Sequence, residues 1–260
     1  MFKLFLILFF FPCVINSNIS TDFGISVKAN SIQIDNQGNI YTISDNSICK
    51  YNQQLILQST YYQNFYGNIN SVDVSNSFKI LVFFNDFNQI VFLNENLSEI
   101  NKIDLFEIDL TDIQFVCSSN QSGFWIYDNT QSRVFFIDEK LNILKKSKFL
   151  GKYVKNKDIT NIFEYKNNFY LGILNKGVLV LDNSCNIINF SQFNLTNSFS
   201  ILNNENLFFL NTTTFEVTNV KILSSEFYII ENHNNAIDYK IYNNKKIILT
   251  NDSLKIYSEN

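Results

Sequence analysis

The side chains most able to do chemistry in this sequence are carboxylates and amides at the beginning of short apolar runs. Their oxygen atoms suit Ca²⁺, which binds oxygen ligands in a flexible geometry, and they also suit the hydroxyl groups of a sugar. The same residue types before a strand often hydrogen-bond their own backbone in a turn. Both interpretations apply to one set of candidate residues: Asn30, Asn70, Asp73, Asp112, Asp158, Asn161 and Asn197.

Nucleophilic catalysis and a zinc site have little support in the residue types. The chain contains one histidine, His233, within the polar stretch ENHNNA. A serine or cysteine nucleophile needs an imidazole within hydrogen-bond reach, and no motif pairs one with His233. A zinc site would need several histidines or paired cysteines. The sequence therefore predicts no catalytic residue and no cofactor, with Ca²⁺ at the candidate residues left open.

A second candidate site consists of Lys145, Lys146, Lys148 and Lys152, which we call the basic sector. It belongs to the stretch EKLNILKKSKFLGKYVKNKD, which places seven lysines within 18 residues. Lysines along an outer strand block edge-to-edge pairing with other chains. The alternative is an anionic partner, such as a lipid head group, a polysaccharide or an acidic protein, held by the local positive potential.

Aromatic side chains form a third group, because the stretch YYQNFYGN at 61–68 contains four of them. Such residues anchor protein interfaces or stack on sugar rings. They also fill the apolar wedge between neighbouring sheets. The net charge of −4 at pH 7 argues against nucleic acid as a partner, because phosphate binding needs clustered positive charge.

The first residues, MFKLFLILFFFPCVINS, combine Lys3 with an apolar run that ends near Val14. That run is much shorter than the ~20 residues of a membrane-spanning helix, so it predicts a secretory signal peptide over 1–17. The residues before Cys13 do not match a lipidation signal. We expect an exported mature chain, residues 18–260, in the periplasm or at the cell surface, without a transmembrane segment.

The elements that must position these residues repeat along the chain. An apolar run followed by Asn or Asp, a polar gap and a second apolar run occurs with anchors at 52, 94, 138 and 182, at intervals of 42, 44 and 44 residues. Weaker matches place further anchors at Asn219 and Ser258. The pattern therefore predicts six units.

Two more apolar runs precede each anchor, and they are rich in Phe, Ile, Val and Tyr, which is typical of strands. Helical periodicity is absent from the mature chain. Four short strands in each ~40-residue unit are the signature of a β-propeller blade. The predicted fold is an all-β, six-bladed β-propeller in one domain.

The ends of the chain predict how the ring closes. The last unit has residues for three strands only, while the strand-like stretch FGISVKA precedes the first unit. We expect residues 23–28 to pair with residues 253–257 as the outer strand of the last blade. In this arrangement Cys49 and Cys117 lie on strands as buried apolar residues, and Cys185 lies in a turn.

The first unit, SIQIDNQGNIYTISDNSICKYN at 31–52, resembles the repeat of NHL/TolB-like six-bladed propellers. Five residues match its D-x-x-G-N-I-Y turn: Asp35, Gly38, Asn39, Ile40 and Tyr41. The whole chain also resembles uncharacterised exported propellers of flavobacterial type. The resemblance implies that the first strand of each blade lines a central channel, and that the loops entering these strands form a partner-binding face.

Lactonase-like members of that family place a Glu, an Asn and an Asp around a metal on the axis. Asp112, Asp158 and Asn161 match part of this set, with Glu226 as the nearest glutamate. The function we expect is a non-catalytic, monomeric propeller that binds an envelope or secreted protein. The alternatives are a metal-dependent lactonase-like hydrolase at the central channel and a glycan-binding module.

Overall fold

The strands of the chain form six four-stranded antiparallel sheets, or blades. They are seen in a computed structural model that describes residues 21–155, 158–201, 206–211, 214–219, 224–229 and 235–258. The innermost strands of neighbouring blades lie against one another, including those of the first and last blades, so the blades form a closed ring. The predicted six-bladed β-propeller is confirmed.

Each blade is a meander that runs from the axis outward. Blades 1 and 2 contain β2 (Ser31–Ile34), β3 (Ile40–Ile43), β4 (Ser47–Tyr51), β5 (Leu57–Tyr62), β6 (Ser71–Asp73), β7 (Ile80–Phe84), β8 (Gln89–Leu93) and β9 (Glu99–Asp104). Blades 3 and 4 contain β10 (Ile113–Ser119), β11 (Gly123–Asp128), β12 (Arg133–Ile137), β13 (Ile143–Lys146), β14 (Ile159–Tyr165), β15 (Asn168–Ile173), β16 (Gly177–Leu181) and β17 (Ile187–Gln192).

The last two blades complete the ring. Blade 5 contains β18 (Phe199–Ile201), β19 (Asn206–Asn211), β20 (Thr214–Asn219) and β21 (Ser224–Ile229). Blade 6 contains β22 (Ala236–Tyr242), β23 (Lys245–Thr250), β24 (Ser253–Ser258) and, outermost, β1 (Thr21–Ser26). Two short 3₁₀ helices of blade 2, η1 (Asn85–Phe87) and η2 (Leu105–Glu107), lie in loops.

The turn between the third and fourth strands is built on the repeated Asn or Asp. Asp138 Oδ1 accepts the backbone N–H groups of Lys140 and Asn142, both at 2.9 Å, and Leu141 between them has φ +65°. The same two bonds, from residues two and four positions later, reach Asn52, Asn94 and Asp182. These side chains end the third strand because they bind the backbone of the turn.

The turn that matches the D-x-x-G-N-I-Y pattern uses the same chemistry between the first two strands of blade 1. Asp35 Oδ1 accepts the N–H groups of Gln37 and Asn39, both at 2.9 Å, and Gly38 has φ +81°. Tyr41 Oη donates to Asp35 Oδ2 at 2.9 Å. Burial of Tyr41 and the nearby Asp35 carboxylate raise the pKa of its hydroxyl, so the phenol stays protonated and keeps this bond.

The core consists of apolar wedges between neighbouring blades. Every residue of β7 and β16 is buried, because a central strand of a blade faces another blade on both sides. Between blades 3 and 4, the ring of Trp125 lies 5.3 Å from Phe169 and 4.8 Å from Phe136. Large aromatic side chains therefore hold the blades at the angle that closing the ring requires.

The N-terminal strand closes the ring as predicted, but it spans Thr21–Ser26 and not residues 23–28. β1 pairs with β24, with Phe23 opposite Ile256 and Ile25 opposite Leu254. Phe23, Ile25 and Val27 pack against the wedge between blades 6 and 1, while the alternate residues face solvent. The period-2 pattern of this strand thus matches its position at an edge with one buried face.

The three described cysteines are free, and one of them departs from the prediction. Cys117 on β10 and Cys185 in the turn after β16 are buried, whereas Cys49 on β4 is only half-buried. Thr60 Oγ1 of the outer strand lies 3.8 Å from Cys49 Sγ. The expectation that Cys49 is buried was therefore wrong, because its side chain beside Thr60 is only partly covered.

Candidate functional site

The first strands of all six blades surround a central channel with a cavity of about 540 Å³. Five of the seven candidate residues line it: Asn30, Asn70, Asp73, Asn161 and Asn197. Three of these, Asn30, Asn70 and Asn197, stand just before their strands at one mouth of the channel and are exposed. Asp73 is the last residue of β6, so it lies deeper than the rim position that its sequence suggested.

Asp112 and Asp158 do not line the channel and are engaged in the loops beside it. Asn129 Nδ2 donates to Asp112 Oδ2 at 2.9 Å. Lys176 Nζ forms an ion pair with Asp158 Oδ2 at 3.0 Å. Both carboxylates bind a side chain in the loop between the second and third strands of their own blade, 17 and 18 positions later in sequence.

Asp73 and Asn161 connect neighbouring blades. Ser118 in blade 3 donates its backbone N–H to Asp73 Oδ2 at 2.8 Å. Asn161 Nδ2 donates to the carbonyl of Phe199 in blade 5 at 2.8 Å, and Asn161 Oδ1 accepts the Phe199 N–H at 3.3 Å. Because the inner edge of each blade has no strand partner, such side chains satisfy its backbone groups.

Glu164 and Asp238 perform the same task and were missed in the sequence. Glu164 Oε2 accepts hydrogen bonds from Ser119 Oγ at 2.5 Å and from Trp125 Nε1 at 2.6 Å, both in blade 3. Asp238 Oδ2 accepts the backbone N–H of Ile32 in blade 1 at 2.8 Å. The sequence feature that could have identified them is a carboxylate within an apolar strand. Burial of such a carboxylate is energetically unfavourable unless it is hydrogen-bonded.

Three carboxylates that line the channel already accept hydrogen bonds or form an ion pair. Asp238 Oδ1 pairs with Lys240 Nζ at 3.3 Å, and the carboxylates of Asp73 and Glu164 accept the bonds described above. In the described part of the chain, no three His, Cys, Asp or Glu side chains form a cluster that could hold a metal. His233 and the side chain of Glu226 lie outside the described residues.

The four lysines of the basic sector lie in different environments. Lys145 Nζ donates to the carbonyl of Asn183 at 2.7 Å and lies 5.0 Å from the Phe136 ring centroid, so it connects blades 3 and 4. Lys146 ends the outer strand β13. Lys148 and Lys152 are exposed in the crossing to blade 4, where Lys152 Nζ lies 4.5 Å from the Tyr153 ring centroid.

One face of the propeller exposes large aromatic side chains. The crossings between blades and the loops between second and third strands all lie on this face, which we call the crossing face, because alternate strands run in opposite directions. Phe65 and Phe106 lie in the first two crossings and are 82% and 66% exposed. Phe87 in η1 is 50% exposed. Phe65, Phe87 and Phe106 are named the aromatic patch.

The three segments that carry the aromatic patch are bonded to one another. Asn68 donates its backbone N–H to Asp86 Oδ2 at 3.4 Å, which connects the first crossing to η1. Leu105 donates its N–H to the carbonyl of Asn88 at 2.9 Å, which connects η2 to the end of η1. The three segments therefore lie next to one another on the crossing face.

Hydrogen bonds to a buried side chain hold the loop that presents Phe65. Gln63 is buried, and its Oε1 accepts the N–H groups of Phe65 at 2.7 Å and Tyr66 at 3.0 Å. Gly67 has φ +77°, and a Cβ there would collide with Asp86. Within YYQNFYGN, Tyr61 is buried while Tyr62 and Phe65 are exposed, so the stretch serves both the wedge and the surface.

Comparison with solved structures places the chain among β-propellers at low sequence identity. The WD40 domain of Pan2 from Neurospora crassa superposes with a TM-score of 0.62 at 10% identity, covering 95% of this chain and 98% of that one. Virginiamycin B lyase from Staphylococcus aureus gives 0.62 at 10% identity, with 91% and 99% covered. BamB from Moraxella catarrhalis gives 0.55 at 6% identity, with 92% and 99% covered.

These likenesses show the fold alone. The chain is a six-bladed β-propeller. A scan against models of known protein families finds no match, and a search of curated proteins finds none either. Among the described residues of the propeller, no helix is long and apolar enough to cross a membrane.

Proposed function

We propose that the protein is an exported, non-catalytic propeller that binds another protein through its crossing face. The observation that carries this proposal is the aromatic patch. Exposed phenylalanines lose little conformational freedom on binding when the loops beneath them are already fixed by hydrogen bonds. Binding residues are commonly found on loops positioned by a rigid scaffold.

The hydrogen bonds of the polar channel residues also support this proposal. Asp73, Asn161 and Glu164 bond the backbone or side chains of adjacent blades, so they are part of the fold. A catalytically inactive histidine-to-alanine variant is known for virginiamycin B lyase. Because the chain is at most 12% identical to these lyases, the similarity supports a shared fold but not a shared reaction.

Export is the second part of the proposal and rests on the N-terminal pattern of Lys3 and the following apolar run. The mature chain then begins near Asn18, in the periplasm or at the cell surface. Intact-mass measurement of the protein recovered from the cell envelope tests this part. Retention of residues 1–17 would contradict it.

Photocrosslinking in the native cell tests the binding face. A benzophenone amino acid replaces Phe65 on the crossing face or, as a matched control, Phe78, which is 62% exposed in the loop between β6 and β7 on the opposite face. We expect a discrete protein adduct from position 65 and not from position 78. An adduct only from position 78, a glycan in place of a protein, or no adduct would overturn the proposed binding face.

A further inference from the structure

Several of the segments that present or border the aromatic patch carry carboxylates. The segment DLFEIDLTD at 104–112, which includes η2, contains four acidic residues and no basic one. Asp86 lies in η1 beside Phe87, and Asp45 lies in the loop between β3 and β4 on the same face. Acidic residues therefore occur in η1, in the segment that includes η2 and in the loop between β3 and β4, whereas the first crossing, which presents Phe65, contains none.

The positions of these charges relative to the aromatic patch are fixed. Asp104 caps η2, because its Oδ1 accepts the N–H of Phe106 at 2.9 Å. Glu107 follows Phe106 directly and is exposed, as is Asp109. A ligand that contacts the ring of Phe106 therefore meets carboxylates on both sides of that ring along the chain.

Few cations of the chain compensate these charges. Lys102 is the nearest basic residue in sequence, and its Nζ interacts with Tyr66 Oη at 2.9 Å and with Glu99 at 4.0 Å. Within the described residues, Asp86, Glu107 and Asp109 form no ion pair. The patch therefore combines exposed apolar side chains with nearby carboxylates that form no ion pair within the described residues.

We propose, on the basis of the proposed function, that the aromatic patch binds a protein segment in which lysine or arginine stands beside apolar side chains. The apolar side chains cover the exposed phenylalanines, which removes apolar surface from water. The cations meet the nearby carboxylates and the faces of the aromatic rings. Complementary charge of this kind increases the association rate and excludes acidic partners.

A labelled peptide of alternating lysine and phenylalanine residues with glycine spacers provides the probe, measured by fluorescence anisotropy with the mature protein. Its two comparison peptides replace lysine by glutamate or phenylalanine by serine. We expect only the lysine–phenylalanine peptide to bind, and added salt to weaken its binding because salt screens exposed charges. Equal binding of the glutamate peptide would overturn the proposal.

Paired substitutions assign the binding to the patch. Glu107→Lys with Asp109→Lys is expected to weaken binding at least about tenfold, whereas Glu95→Lys, an exposed residue in the turn between β8 and β9 on the opposite face, should change it less than about twofold. Phe65→Ser with Phe106→Ser should also abolish binding, and Phe78→Ser should not. Unchanged binding in both patch variants would overturn the proposal.

Two further results separate this inference from its alternatives. If the crosslink from position 65 keeps its yield when Glu107 and Asp109 are reversed to lysine, the crossing face binds a protein but not through charge, and only this inference fails. If the patch variants instead convert an oligomer into a monomer in light-scattering measurements, the occupant is a second copy, for example its basic sector, and the proposal of a separate partner is wrong.

Discussion

Asp238 in the last blade accepts the backbone N–H of Ile32 in the first blade, with 2.8 Å between Oδ2 and N. The two residues are 206 positions apart in the sequence and lie on neighbouring innermost strands. This bond closes the ring at the channel, while the pairing of β1 with β24 closes it at the outside. The seam between the ends of the chain is therefore held at both edges.

The first prediction concerns that bond. Asp238→Ala leaves the buried N–H of Ile32 without its acceptor and Lys240 without its ion-pair partner, so the free energy of unfolding should fall by about 1–3 kcal/mol. Urea unfolding followed by tryptophan fluorescence measures this change. Asp238→Asn keeps an acceptor oxygen and should lose less.

The matched control is Asp109→Ala, because Asp109 is exposed and forms no ion pair within the described residues. Its effect should stay within about 0.5 kcal/mol. Equal stability of the Asp238→Ala and Asp109→Ala variants would show that the channel-side bond does not hold the seam.

The fold could be predicted because its signals are local and repeated. Asn52, Asn94, Asp138 and Asp182 recur at nearly constant intervals, since each binds the backbone two and four residues later. Periodicity 2 in FGISVKA likewise identified an edge strand. Such signals need no knowledge of distant residues.

The candidate site could be predicted only in part, because its bonds connect different blades. Asn161 resembles a ligand residue in the sequence, yet its partner Phe199 lies 38 positions away. Glu164 bonds Trp125 across 39 positions. Nothing near either residue in sequence indicates which residue of another blade it bonds. The partners of Asp112 and Asp158 are closer, 17 and 18 positions later in sequence, but they too lie outside the turns that precede the first strands.

The second prediction concerns the N-terminal strand. Ile25→Ser removes apolar side-chain area from the wedge between blades 6 and 1 and should lower the free energy of unfolding by about 1–3 kcal/mol. Deletion of residues 18–29 should lower Tm by several degrees or prevent folding. Differential scanning calorimetry measures both, with Lys28→Ala, which is exposed, as the control. A deletion variant that melts like the intact protein would show that β1 does not close the ring.

The third prediction concerns pH. Hydrogen bonds from Asn142 lower the pKa of Asp138, and the backbone N–H of Asn186 lowers that of Asp182. A carboxyl group whose pKa is lower in the folded state contributes stability above its unfolded pKa of about 3.9 and loses it as pH falls through the folded pKa. Tm should therefore fall between about pH 5 and about pH 3.

Non-titrating variants isolate this effect. Asp138→Asn with Asp182→Asn keeps the turn acceptors but removes the two carboxyl groups, so the fall of Tm with decreasing pH should become shallower. Asn94→Asp introduces a carboxyl group into the equivalent turn of blade 2 and should make it steeper. Identical Tm–pH curves for all three proteins would contradict the role of the turn hydrogen bonds.

The last prediction concerns the cysteines. A cysteine reacts with a disulfide reagent only when its thiol is deprotonated to a thiolate and is accessible to the reagent. Burial raises the pKa of the Cys117 thiol well above its usual range and that of Cys185 to about 11. Cys49 is half-buried on β4, so it should react first with a chromogenic disulfide at about pH 8, while Cys117 and Cys185 should react at the rate of unfolding. Cys49→Ser should remove the fast phase and leave the slow one. A fast phase that persists in Cys49→Ser would show that another thiol is accessible in the folded protein, and its loss in Cys185→Ser would place that thiol in the turn after β16.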